Sequence, residues 1–118
     1  MTTDNKPNMF VNTEGMVKAN FDDILYFMAE QMYSCAYGMN QKRLLTLSCG
    51  LKDLEQTLPA DIFLRINRSY IINLWKVQKV YGKKVIMIDG TEIILTLMTV
   101  RDLEGYFNVY GRRISKND

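Results

Sequence analysis

Between Phe63 and Trp75, two apolar, β-prone runs enclose a short insert carrying two arginines, an asparagine and a serine. Unpaired guanidinium groups do not belong in a core, because desolvating each one costs several kcal/mol. The segment therefore reads as a strand, a polar corner and a second strand. Its corner, built around Asn67 and Arg68, is displayed to something anionic or hydrogen-bonding. Any fold for this chain must leave one hairpin end free of the core.

The rest of the chain continues the β theme. Met16–Phe21, Ile24–Glu30, Tyr33–Gly38, Arg43–Cys49, Ile62–Ile66, Tyr70–Leu74, Val77–Tyr81, Lys84–Ile88 and Glu92–Thr96 are short runs rich in β-branched and aromatic residues. Asn20 to Asp23, Gly38 to Gln41, Gly82-Lys83 and Asp89-Gly90 punctuate them, and the last pair suits a type I′ hairpin. Val85–Ile88 and Ile93–Leu95 are apolar at every position, which predicts strands covered on both faces. Two short helices are expected. Gly50 caps one with a Leu51, Leu54, Leu58 stripe that Pro59 ends, and Thr99 and Asp102 have capping-box spacing for the other. Neither carries a basic face, so neither is a major-groove recognition helix, and any reading of DNA would come from loops and strand ends.

At 118 residues and 47% apolar content, the chain suits one compact domain. Residues 1–9 are expected to be a flexible tail, 10–112 the domain and 113–118 a second tail. No apolar run is long enough to span a bilayer and no secretory leader is visible, which predicts a cytoplasmic protein without membrane contact. Cys35 and Cys49 lack disulfide-framework or metal-site spacing and read as small buried hydrophobes. The absence of histidine removes the commonest general base and metal ligand. No glycine loop cradles a phosphate. An enzyme, a metal site and a cofactor are therefore not expected. Charge is polarised: residues 1–61 hold five Lys/Arg against eight Asp/Glu, while 62–118 hold ten against five. Such a field can steer a polyanion to one end of the molecule.

The polar corner, in the stretch Arg65-Ile66-Asn67-Arg68-Ser69-Tyr70-Ile71-Ile72-Asn73-Leu74, resembles a segment of the LytTR family of bacterial DNA-binding domains. Val17 to Phe27 resembles that family's opening strand pair, followed by Ala29-Glu30 and Tyr33-Ser34. Leu51 to Glu55 with Leu58-Pro59 resembles its short central helix, and Asp89 to Ile93 its final hairpin. The resemblance runs from Phe10 to Leu103 and implies a mainly β, elongated fold of small antiparallel sheets with one or two short helices. It also implies a sequence-specific DNA-binding domain of a transcriptional regulator, often the output half of a two-component response regulator.

On that resemblance Arg68 points into the major groove, where arginine bonds guanine in bidentate fashion, and Asn67 bonds a base or a phosphate. Ser34 falls on a second contact position, in the loop after Ala29-Glu30, reading a successive groove. Arg43 and Lys83, with Lys42 and Lys84, are expected on phosphates, whereas Arg65 packs its stem along the strand. Where the family commonly has a Ser-Arg-Arg segment, this chain has Thr96-Leu97-Met98, expected to give apolar or backbone contacts through Thr96 and Met98. The expected partners are double-stranded DNA, a second copy on repeated half-sites, and a receiver domain or partner regulator. The alternative is a LytTR-like scaffold with weakened DNA contacts, acting as a protein-interaction module through Leu97, Met98 and Trp75.

Overall fold

A computed structural model of the chain describes residues 6–112. The expected tail 113–118 and the first five residues of the expected N-terminal tail lie outside the described residues. Strand β1 (Met9–Asn12) pairs antiparallel with β2 (Gly15–Lys18). β3 (Tyr26–Glu30), β4 (Tyr33–Tyr37), β5 (Arg43–Leu47), β6 (Phe63–Asn67) and β7 (Tyr70–Asn73) form an antiparallel sheet in the order β5-β4-β3-β7-β6. β8 (Val77–Tyr81), β9 (Lys84–Met87) and β10 (Glu92–Ile94) form a smaller sheet in the order β10-β9-β8. Helices α1 (Leu51–Thr57) and α2 (Val100–Glu104) complete the fold, which extends over 60 × 32 × 25 Å. The fold is mainly β and elongated.

Both helices start where local chemistry sets them. Gly50 precedes α1, which buries Leu51 and Leu54. The Thr99 hydroxyl accepts from the Asp102 amide at 3.1 Å, and the Asp102 carboxylate accepts from the Thr99 amide at 3.1 Å, a complete capping box. β1 has no counterpart among the expected strands. Its single buried side chain, Phe10, stacks edge-on against Phe21 and packs near Phe27, so its pairing rests on contacts across the chain rather than on a local pattern.

The five-stranded sheet is the layer covered on both faces. Alternate residues divide between two cores, as strand pleating requires. Tyr26, Cys35, Tyr37 and Ile72 face the small sheet and α2, among Val85, Met87, Ile93, Leu95 and Leu103. Phe27, Ala36 and Ile71 face the other way, among Phe10, Leu51, Leu54 and Phe63. The small sheet does not share this arrangement. Val85, Met87, Ile93 and Leu95 point inward, but Ile88 and Ile94 are exposed, so it is covered on one face only. The all-apolar runs of β9 and β10 had suggested double coverage; period alone does not say which apolar residues find a partner layer.

The Asp89-Gly90 hairpin exists, but not as type I′. Met87 and Thr91 close a three-residue loop in which Gly90 alone takes a positive φ, +92°. A type I′ turn needs two left-handed residues in succession, and Asp89 is not one. Its carboxylate is engaged instead: it accepts from the Thr91 amide at 3.0 Å and from the Asn40 amide, across the sheets, at 2.8 Å. Burial opposes ionisation of Asp89, yet these amide donors outweigh it and hold the carboxyl below its ordinary pKa.

Candidate nucleic-acid interface

The polar corner is the two-residue loop Arg68-Ser69 between β6 and β7. Two side chains fix its backbone. The Asn67 side chain accepts from the Ser69 amide at 2.8 Å and donates to the Ile94 carbonyl at 2.7 Å. The Arg65 guanidinium donates to the carbonyls of Arg68, at 2.8 Å, and Asn67, at 3.3 Å. Its remaining nitrogen pairs with Glu55 of α1 at 3.3 Å. One arginine thus holds the corner so that the next can be free: Arg68 is exposed, and among the described residues its guanidinium has no ion-pair or hydrogen-bond partner.

A bulge places the neighbouring segment. The β6–β7 register slips between Arg65 and Asn67, leaving Ile66 out of the ladder. Its carbonyl turns outward and accepts from the amides of both Thr96 and Leu97 at 3.0 Å. On the other side, the Ser69 carbonyl accepts from the Ala29 amide at 2.9 Å, tying the corner to the end of β3. The β3–β4 tip, Gln31-Met32, projects from that end because Glu30 pairs with Tyr33. Tip, corner and Thr96-Leu97 segment therefore lie in a row at one end of the molecule. Adjacent turns are two strand spacings apart, about 10 Å. Lys83 joins this end, since its carbonyl accepts from the Leu95 amide at 2.8 Å and its side chain is exposed.

Of the expected site residues, Arg68, Lys83 and Thr96 are exposed in this row. Asn67 is in it, but both ends of its amide are already bonded, so it shapes the corner rather than presenting a free donor. Ser34 is not in a loop. It lies within β4, fully buried, and its hydroxyl donates to the Cys49 carbonyl at 2.8 Å. No contact to a base is open to it without breaking the sheet. Arg43 opens β5, at the opposite edge of the sheet from β6, about four strand spacings or 19 Å away. Its guanidinium lies over the Tyr37 ring, donates to the Tyr37 hydroxyl at 3.3 Å and pairs with Glu30 at 3.8 Å. Lys84 pairs with Glu92 at 3.8 Å.

Met98 is half-buried and packs onto the core shared with Leu103, whereas Leu97 beside it is 55% exposed. Trp75 is 73% exposed, at the far end of β7 from the corner. Leu97, Met98 and Trp75 consequently form no common surface. Tyr26 and Tyr70 are interior aromatics in edge contact, 5.4 Å between centroids, and burial followed by Tyr70 pushes the Tyr26 phenol up to about 12.

Four exposed residues in or beside this row were not singled out as DNA contacts in the sequence. Gln31 holds a φ of +56°, a conformation few non-glycine residues adopt, and Met32 beside it is 91% exposed. Leu97 faces out where Met98 was expected to. Arg101, in the first turn of α2, is exposed and has no partner among the described residues. The Thr99-Asp102 spacing was the available signal for Arg101, because it starts a helix at Val100 and so sets residue 101 in that helix's first turn.

A family model described as the LytTr DNA-binding domain matches residues 14–108. Among solved structures, the chain is similar to the LytTr DNA-binding domain of a Bacillus cereus protein described as a methyl-accepting/DNA response regulator. The TM-score is 0.67 at 19% identity, covering 85% of this chain and 94% of that one. An identity this low speaks for the fold alone. No curated protein matches the chain.

Proposed function

Because the chain belongs to the LytTR family of DNA-binding domains, we propose that it reads double-stranded DNA from the row of three loops, as the output domain of a bacterial transcriptional regulator. Arg68 carries this reading. Its guanidinium is free among the described residues, on a corner whose backbone is held by Arg65 and Asn67. A fork fixed at its base and free at its tip is suited to bidentate recognition of guanine in the major groove. Lys83 and Arg101 supply phosphate contacts around it. Thr96 offers a hydroxyl and a methyl group in the same row. A single domain gains affinity by pairing on repeated half-sites, and the description of the Bacillus cereus relative as a response regulator supports a receiver domain or partner regulator as the input. The setting for such a protein is the cytoplasm, and no helix among the described residues is long and apolar enough to cross a membrane.

The test is binding to duplexes selected from a random library, measured across a salt titration. Affinity should fall steeply with salt, and Arg68→Ala should cost about 1–3 kcal/mol of discrimination against a changed base pair. Absence of duplex binding at low salt, or selected sites bound equally well by the variant, would remove the reading.

A further inference from the structure

The two larger sheets have four outer strands, and three of them are met along their free edges. The Ile66 carbonyl of β6 accepts from Thr96 and Leu97, and the Ile94 carbonyl of β10 accepts from the Asn67 side chain. Ser48, at the end of β5, donates to the Val11 carbonyl of β1 at 3.4 Å. β8 is the exception. Gly82-Lys83 is a two-residue loop, so Tyr81 and Lys84 are its hydrogen-bonded closing pair and the next pair, Val80 with Val85, is a non-bonded one. The amide and carbonyl of Val80 therefore point away from β9, and among the described residues no backbone group meets them. Four of the five residues of β8 are exposed. An open edge of this kind is a template for another strand.

Beside this edge runs an apolar groove of about 610 Å³. Val77 and Val80 line one wall, because they pair with the buried Met87 and Val85 and share their face. Val100 and Leu103 of α2, with Phe107 and Tyr110 beyond it, line the other. We propose that the groove is a docking site for an extended segment of a partner protein, which joins the small sheet as a fourth strand beside β8. Such a segment carries apolar side chains at alternate positions, for the groove, and a carboxylate opposite Lys79. Main-chain bonds to Val80 hold it, and the groove selects the alternate side chains. Charge chooses the occupant. Lys79 is exposed at the middle of β8, its ammonium 5.5 Å from the centroid of the Tyr81 ring, and β8 holds no acidic residue. Pairing β8 with its own copy about that middle residue sets Lys79 against Lys79, which is unfavourable, whereas an acidic strand pairs with it. The lysine thus turns away a second copy and admits a complementary strand.

The test selects a random dodecapeptide library against the immobilised full chain and follows an enriched, synthesised peptide by NMR titration. Enriched sequences should alternate apolar residues and place an aspartate or glutamate between them. The bound peptide should shift the amides of Val77–Tyr81 and of α2, and protect the Val80 amide from hydrogen exchange. Lys79→Glu should weaken the peptide about five-fold, and changing the peptide's carboxylate to lysine should restore the loss. N-methylation of the peptide amides that face β8 should abolish binding while its side chains stay in place. Lys79 is exposed, so its replacement does not disturb the core. Failure to enrich any peptide, peptides that bind away from β8, or binding indifferent to Lys79→Glu and to N-methylation each overturn the proposal. Dimerisation of the free chain in sedimentation, lost in Val80→Pro, overturns it as well by assigning the edge to a second copy. None of these outcomes bears on DNA reading by Arg68.

Discussion

The β6–β7 corner and the β3–β4 tip are neighbouring turns on one end of one sheet, built in opposite ways. The corner is held by side chains: Asn67 bonds forward to Ser69 and across to Ile94, while Arg65 bonds the carbonyls of Asn67 and Arg68 and anchors itself on Glu55. At the tip, Gln31 occupies a left-handed φ and both loop residues are exposed, and among the described residues no side-chain bond from Gln31 or Met32 holds the turn. A base contact made through hydrogen bonds needs an aim fixed in advance, because a misdirected donor loses its bond. Apolar contact has no such directional demand, so a less supported turn suffices for it.

Four measurements bear on that contrast. The largest effect is expected at Asn67. It makes two bonds, one to a partly buried amide and one to an exposed carbonyl, so Asn67→Ala should lower stability in urea unfolding by about 1.5 kcal/mol. A loss under about 0.5 kcal/mol would mean that the corner holds itself. Next is Arg65→Lys, which keeps the charge but loses the fork that spans two carbonyls. About 1 kcal/mol of stability should go, and base discrimination at the Arg68 position should weaken, while the salt slope stays unchanged because Arg65 touches no phosphate. A slope reduced by about one unit would place Arg65 on the DNA backbone instead.

Gln31→Gly should act with the opposite sign. Relief of the left-handed strain, partly offset by unfolded-state entropy, should stabilise the fold by about 0.5 kcal/mol in the same urea assay. Destabilisation would show that the Gln31 side chain supports the tip after all. The smallest effect on the reading end is expected from acid. The Asp89 carboxyl lies below its ordinary pKa, so its contribution is fully present above the unfolded value and is lost as pH falls through the folded one. Asp89 clasps Asn40, which follows β4 at the end of the sheet remote from tip and corner. Amide shifts recorded by NMR from pH 5 downward should therefore change first around Asn40, Gln41 and Thr91, with those of Arg68 and Ser69 moving later. Simultaneous change at both ends would show that the latch and the corner are one cooperative unit.

What could be read in advance was local. The capping box of Thr99 and Asp102 involves residues three apart, and the polar break at Asn67-Arg68 declares itself against the strands on either side. Ser34 shows where such reading stops. The family resemblance places it in a loop although the strand expected over Tyr33–Gly38 contains it, and its pairing with Ala29 and Leu47 and the Cys49 carbonyl draw it into the sheet. In a strand buried on both faces, alternation no longer marks an outside, so a serine there gives no hint of its exposure.

By itself, then, the sequence determined that this chain is a string of short strands with two capped helices and one cationic corner denied to the core. Those are matters of nearest neighbours: dihedral preference, a cap within one turn, the cost of desolvating a guanidinium. Tertiary structure decided which layer is covered twice, that Ser34 lies inside and Leu97 outside, and that the tip and the Thr96-Leu97 segment are tied to the β6–β7 hairpin. Those outcomes turn on hydrogen bonds between distant segments, Ala29 with Ser69 and Ile66 with Leu97. No local run carries that information, because the partner's position is set only when the sheets close.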